Sequence, residues 1–232
     1  MTNSEATRKP AVVLVPHAGG DGLSYGRMIK RLSEDGDVFF YEMAGHGKRA
    51  GEDFYGSYGE VLSDLVSFIR EKTADCGPYL LCGVSMGAFL CDNAYERLEK
   101  EGDRLPGHVI YAAVDPARSA SEYDIRQVEE KSSNLELLTL DNSYSQYLKT
   151  ILEKDLELMI KGKAGFKARL KCPLSHFMGK EDSLLGRSVY DWSAYAAMGA
   201  REYLFDGPHL FMTSNDNVIN TIIRIRDSLQ ER

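Results

Sequence analysis

Cysteine is sparse in this chain. Its 232 residues hold four, Cys76, Cys82, Cys91 and Cys172, and no two stand in a CxxC pair. At that density they do not read as a disulfide framework, and a reducing cytoplasm is the expected compartment. Long apolar runs are missing too. No stretch approaches the ~20 apolar residues of a membrane span. Residues 1–10 are polar and lack the apolar core of a secretory signal. An excess of basic charge is also absent: 28 Lys and Arg face 35 Asp and Glu, a formal charge of −7. Phosphate binding needs a basic face, so nucleic acid is not an expected partner. There are no internal repeats and no low-complexity tracts. The one local departure is the run 161–171, with five basic residues and no acidic one. Such a run is either a solvated face or a docking patch for an acidic partner.

What is present is a globular composition, 43% hydrophobic and 27% charged, in a length that suits one domain with room for an insertion. Short apolar runs alternate with amphipathic stretches. Strands are expected at 11–16, 38–42, 79–82, 108–114, 173–178 and 202–205. A helix is expected from a Ser24 cap to about Glu34. Another follows the capping box Ser57-Tyr58-Gly59-Glu60, with Val61, Leu62, Leu65, Phe68 and Ile69 on one face. Further helices are expected over 88–101, stopped by Gly102, near 190–198, and over 215–230. This alternation implies an α/β class with a mostly parallel central sheet flanked by helices. Between residues 116 and 170 the rhythm breaks: no buried strand is visible, and helical patterns dominate, notably over 144–160. This stretch reads as a helical lid inserted within a single domain spanning 1–232.

Gly83-Val84-Ser85-Met86-Gly87 matches GxSxG. Alone the pattern is weak. Here it directly follows an apolar strand and directly precedes a helix, the strand–turn–helix setting of a nucleophile elbow in an α/β-hydrolase fold. In such an elbow Ser85 takes an unusual backbone conformation, and the small Gly83 and Gly87 let neighbouring backbone pass close. The hydroxyl is then exposed at the sheet's C-terminal edge. The Met86 N–H, at a helix N-terminus, points where an oxyanion would form.

A serine nucleophile needs a base, and the base needs an orienting acid. In this fold the chain order is Ser, acid, His, so the base lies late among His17, His46, His108, His176 and His209. His176 falls inside an expected strand and reads as a packed core histidine. His209, in Asp206-Gly207-Pro208-His209-Leu210 between the last strand and the last helix, is where the base belongs. The acid should follow an earlier strand. Asp182 in Gly179-Lys180-Glu181-Asp182 is the choice, with Glu181 as its neighbouring alternative. The second oxyanion donor should come from the loop after the first core strand, residues 16–22, whose glycines let backbone N–H groups turn inward. No GK[ST] follows, so this is not a phosphate loop.

Taken together, these segments resemble the type II thioesterases of nonribosomal peptide and polyketide synthesis, stand-alone members of the α/β-hydrolase superfamily. Pro16-His17-Ala18-Gly19-Gly20 is similar to that family's PHAGG signature, Ala44-Gly45-His46-Gly47-Lys48-Arg49 to PGRGxR, and Gly83-Val84-Ser85-Met86-Gly87-Ala88 to GHSMGA. Lys180-Glu181-Asp182 and Gly207-Pro208-His209-Leu210-Phe211 resemble its acid and GGHFF-type segments. The order is the family's, from Val12 to Phe211. The resemblance implies hydrolysis of acyl or aminoacyl thioesters on the phosphopantetheine arm of acyl or peptidyl carrier proteins, clearing stalled assembly lines through an acyl-serine intermediate. It implies Ser85 as nucleophile, Asp182 as acid, His209 as base, and the N–H groups of Ala18 and Met86 as the oxyanion hole. It further implies a lid over 116–170, a monomer, and no metal or organic cofactor.

Three positions depart from the family pattern. Val84 replaces the usual His of GHSMG, Ala44 replaces the usual Pro of PGRG, and His46 stands where the family usually has Arg. None removes a catalytic group; they bear on substrate preference. The residues alone also accommodate a carboxylesterase, a lipase or an acyltransferase on the same fold. A non-catalytic binding protein usually loses one of the three triad side chains, all of which have candidates here.

Overall fold

The computed structural model describes residues 9–117, 142–185, 190–213 and 215–230. Six parallel strands form one sheet: β1 Ala11–Val15, β2 Val38–Phe40, β3 Tyr79–Val84, β4 His108–Ala112, β5 Leu174–Gly179 and β6 Ala200–Phe205. Their spatial order is β2-β1-β3-β4-β5-β6. The described helices are α1 Gly26–Leu32, α2 Tyr58–Thr73, α3 Met86–Glu101, α4 Ser143–Lys161 and α5 Asp216–Asp227.

Alternate residues of each central strand serve opposite faces of the sheet. Val13, Val15, Leu81, Val109 and Tyr111 pack with α2 and α3 through Val61, Leu65, Phe89 and Leu90. Val12, Leu14, Leu80, Cys82 and Ile110 pack with α1 and α5 through Met28, Leu32, Ile219 and Ile222. With both faces covered, the strands read as continuous apolar runs rather than alternating ones. Sheet order reverses between β1 and β3. Such a switch point leaves a crevice at the strands' C-terminal ends. The loops after β1 and β3 both open there.

Ser57 caps α2 by accepting the Glu60 N–H at 3.3 Å, while Glu60 Oε2 accepts the Gly56 N–H at 2.8 Å. Two expected helices differ. The first begins at Gly26, and Ser24 is not its cap: Ser24 N and Oγ are tied to Asp21 instead. The helix starts only after Tyr25, whose fully buried ring is fixed among core side chains. The helix expected near 190–198 is absent. One turn closes there, Ala196 N–H to Trp192 C=O at 3.0 Å. The backbone of 195–197 then pairs with Leu170, which donates to the Tyr195 C=O at 2.7 Å and accepts from Ala197 at 3.0 Å. Trp192 and Tyr195 pack edge-on around Phe166, and this aromatic packing outweighs the helical periodicity.

Of the expected insertion, residues 118–141 lie outside the described residues; α4 follows, between β4 and β5. Within the basic run, Lys161 pairs with Glu157 at 2.9 Å and Lys171 with Glu99 at 2.7 Å, while Lys163 and Lys167 are exposed. No described helix is long and apolar enough to cross a membrane.

Candidate active site

Strand β3 ends at Val84 and α3 begins at Met86, so Ser85 alone makes the turn. Its φ of 51° and ψ of −112° lie in sparsely populated space for a residue with a side chain. Strain of this kind costs on the order of 1–3 kcal/mol and persists only where the surroundings impose it. Here they do. The Ser85 N–H donates to the Ala112 C=O at 2.8 Å. A Cβ on Gly83 would lie 2.3 Å from the Gly87 C=O oxygen, and one on Gly87 would lie 2.3 Å from that of Val15 and 2.6 Å from that of Pro16. Only glycine fits either position. The second contact sets the start of the β1 loop against the first turn of α3.

The other two side chains arrive on the loops after β5 and β6. Those loops touch through backbone. A Cβ on Gly179 would meet the Gly207 oxygen at 2.5 Å and the Pro208 oxygen at 2.7 Å, and Gly207 has φ +125°. Lys180 N–H donates to Phe205 C=O at 2.8 Å, and Glu181 N–H to Gly207 C=O at 3.1 Å. This brings His209 between the two other residues: Nδ1 lies 2.8 Å from Asp182 Oδ2, and Nε2 lies 3.0 Å from Ser85 Oγ. Asp182 Oδ1 accepts the N–H groups of Leu184 and Leu185 at 2.9 and 3.1 Å. Burial opposes its ionisation, but His209 and these two donors outweigh it and hold the pKa below the usual carboxylate value. Glu181 is not brought to His209; its carboxylate accepts the Gly207 N–H. His176 is buried in β5, with Nε2 2.9 Å from the Val114 C=O oxygen.

The loop after β1 is pinned at successive residues. Tyr25 Oη takes the His17 N–H at 3.3 Å and contacts His17 Nδ1 at 2.8 Å. Burial, with the neighbouring His209 second, pushes the His17 pKa down to about 4, so its ring is neutral at pH 7. Gly20 N–H donates to the His17 C=O at 2.9 Å. Gly19 N–H donates to Asp155 Oδ2 at 2.7 Å, and Gly22 N–H to Glu42 Oε1 at 2.9 Å. Ala18, between these ties, packs on Leu152 and Leu156 of α4. Neither the Ala18 N–H nor the Met86 N–H is hydrogen-bonded within the described residues.

Asp155 also meets His46, whose Nε2 lies 3.0 Å from the same Oδ2 and whose Nδ1 lies 3.0 Å from the Ala44 C=O oxygen. Both side chains are buried, at 0% and 2% exposure. Burial by itself would lower the His46 pKa, but Asp155 overrides it and the net shift is upward. Asp155 stands in no sequence motif. A signal was present: a carboxylate interrupts the apolar face made by Leu148, Leu152, Leu156 and Met159. Among the described residues, no group of three or more His, Cys, Asp or Glu side chains could hold a metal ion.

A family model described as a thioesterase domain matches residues 10–228. A nonribosomal peptide synthetase, pngA of Aspergillus terreus, is 30% identical over 98 residues, 42% of this chain and 10% of that protein. The chain spans only 10% to 30% of the length of the curated relatives it matches. Among solved structures, the thioesterase RedJ from the prodiginine biosynthetic pathway of Streptomyces coelicolor superposes with a TM-score of 0.77 at 20% identity, over 95% of this chain and 86% of RedJ. ClbQ from the colibactin NRPS/PKS pathway gives 0.76 at 19% identity, over 96% of this chain and 98% of ClbQ. At such identities the likeness is one of fold.

Proposed function

Because this chain belongs to the thioesterase-domain family, we propose that it is a serine thioesterase that removes acyl or aminoacyl groups from carrier proteins of a nonribosomal peptide or polyketide assembly line. The observation that carries the reading is the unbroken hydrogen-bond path from Asp182 through His209 to Ser85 at the switch point of the sheet. The named pathways of RedJ and ClbQ support the assembly-line setting.

In the proposed reaction the phosphopantetheine arm enters beneath α4, the described helix between β4 and β5. Ser85 Oγ attacks the thioester carbon as His209 Nε2 takes its proton. Asp182 holds Nδ1–H, fixing the tautomer and stabilising the imidazolium. The carbonyl oxygen becomes an oxyanion received by the N–H groups of Ala18 and Met86; one such donor typically contributes about 2.7–4 kcal/mol to lowering the barrier. The C–S bond breaks, and the departing thiolate takes the proton from His209. Water then attacks the acyl-Ser85 ester with His209 again as base, releasing the acid and free Ser85. The chain acts as a cytoplasmic monomer in this reading.

The test is release of acyl groups from a loaded carrier protein, with wild type beside Ser85→Ala and a matched oxygen ester as control. Fast release that vanishes in Ser85→Ala, with little ester cleavage, is the expected result. Ester cleavage without carrier activity would leave a general esterase, and undiminished release by Ser85→Ala would remove the mechanism.

A further inference from the structure

The geometry points to Asp155 as a positioning residue for the oxyanion hole. Its carboxylate, on helix α4, accepts the Gly19 N–H and thereby makes the orientation of the Ala18 donor depend on α4 being docked. The inference deepens the proposed reaction and rests on Ala18 serving as an oxyanion donor.

Several contacts along one face of α4 carry it. Tyr147 Oη donates to the Gly45 C=O at 3.0 Å. Five residues further on, Leu152 lies against Gly19: a Cβ there would be 3.7 Å from that of Leu152. Leu152 and Leu156 cover Ala18. Asp155 then takes the Gly19 N–H at 2.7 Å, a short charge-assisted bond. Residues 147, 152 and 155 stand on one helix, so they engage or leave together as it docks. Gly19 has φ +77°, a conformation open to glycine at little cost and therefore not self-enforcing. The peptide that Asp155 holds is the one immediately after Ala18. The Ala18 N–H sits on the preceding peptide, whose His17 C=O takes the Gly20 N–H at 2.9 Å. The Ala18–Gly19 peptide lies inside that turn, and without the Asp155 acceptor the turn that fixes the Ala18 N–H direction loses its middle support. His46 Nε2 donates to the same oxygen, 3.0 Å away, and its Nδ1–H is tied to Ala44. This partner offsets the cost of burying the Asp155 side chain. His46 thus supports Asp155 without facing the reacting atoms.

The test compares Asp155→Ala, Asp155→Asn and the double variant Asp155→Leu/His46→Leu on a small acyl thioester of N-acetylcysteamine. Inhibition by a trifluoromethyl ketone of the same acyl chain is measured alongside; its Ser85 adduct carries an oxyanion. Asp155→Ala should lower kcat on the order of 10²-fold, leave KM near wild type, and weaken the ketone in parallel. Asp155→Asn keeps an acceptor oxygen at the same place and should restore most of the rate. The double variant replaces the buried pair with apolar side chains, an exchange proteins often tolerate. It should behave like Asp155→Ala and serves if that variant does not fold. Normal kcat and normal ketone affinity in Asp155→Ala or in the double variant would overturn the inference. So would an Asn variant as slow as the Ala variant. Failure of the underlying reaction reads out separately, as hydrolysis that survives Ser85→Ala.

Discussion

The two sides of the candidate site are held by different kinds of contact. Around Ser85, Asp182 and His209 the work falls to backbone: Gly83 and Gly87 admit close passage of neighbouring chain, and Gly179 does the same for the loop carrying Gly207 and Pro208. On the β1 loop, side chains do the holding, with Tyr25 of the same connection, Glu42 and the distant Asp155 each taking a loop N–H. Backbone contacts through glycine are rigid, because nothing can rotate away. A side-chain tie from α4 is conditional, because it lasts only while that helix is docked. The side of the proposed nucleophile is therefore built as a fixed element, and that of the proposed oxyanion donor Ala18 as one that α4 can complete.

The sharpest way to break this comparison is at Asp182. Its Oδ1 faces the two N–H groups of Leu184 and Leu185, so Asp182→Asn must put its amide oxygen there and its NH₂ toward His209 Nδ1. The imidazole is then forced into the tautomer with hydrogen on Nε2, which cannot accept the Ser85 proton. A loss of about 10⁴-fold in kcat with unchanged folding is expected. Glu181→Gln keeps an oxygen for the Gly207 N–H and should leave kcat near wild type. Steady-state kinetics on both variants decide it. Equal losses would mean that the acid site is shared between the neighbours rather than fixed by the backbone.

This difference also governs how much was legible beforehand. Ser85 and His209 stand in motifs whose glycines are visible in the chain, because a backbone that requires glycine leaves a mark in sequence. Asp182 stood out only against Glu181, one residue away, and the deciding donors, Leu184 and Leu185, have no signature because any residue has an N–H. The parallel sheet was legible from its two-faced apolar runs. The missing helix at 190–198 was not: its periodicity is real, but Trp192 and Tyr195 use it to pack on Phe166. Asp155 and His46 lie 109 positions apart, and no spacing rule joins them.

A smaller effect sharpens the side-chain half of the comparison. Asp92, buried in α3, anchors the chain leaving α4: Oδ2 accepts the N–H groups of Lys167 and Ala168 at 2.6 and 3.0 Å, and Oδ1 meets the Tyr111 hydroxyl at 3.2 Å. Burial raises its pKa from 3.8 to about 6 despite those donors. The folded state therefore takes up a proton between about pH 6 and pH 4 that the unfolded chain does not, and this group's contribution to stability rises as pH falls through that window. Asp92→Asn removes the term while keeping an oxygen for the two N–H groups. Relative to the variant, wild type should gain about 2 kcal/mol between about pH 7 and pH 4.5 in denaturant melts. A constant gap would mean that Asp92 does not titrate there.

The smallest effect is expected at the exposed end of the same anchor. Ala164 and Ala168 of the basic run are buried, so the backbone of 161–171 is structural, yet Lys163 and Lys167 point their charge to solvent. Carrier proteins are usually acidic, and rim charges act mainly on encounter. Lys163→Glu combined with Lys167→Glu should raise KM for an acyl carrier about two- to fivefold, the scale of exposed ion pairs. The N-acetylcysteamine thioester should be unaffected. The difference should fade with added salt, since exposed charges are screened within about 10 Å at ~0.1 M. If both substrates respond equally, the run is a solvated face. The insertion side would then serve the oxyanion loop alone, with no part in drawing the substrate in.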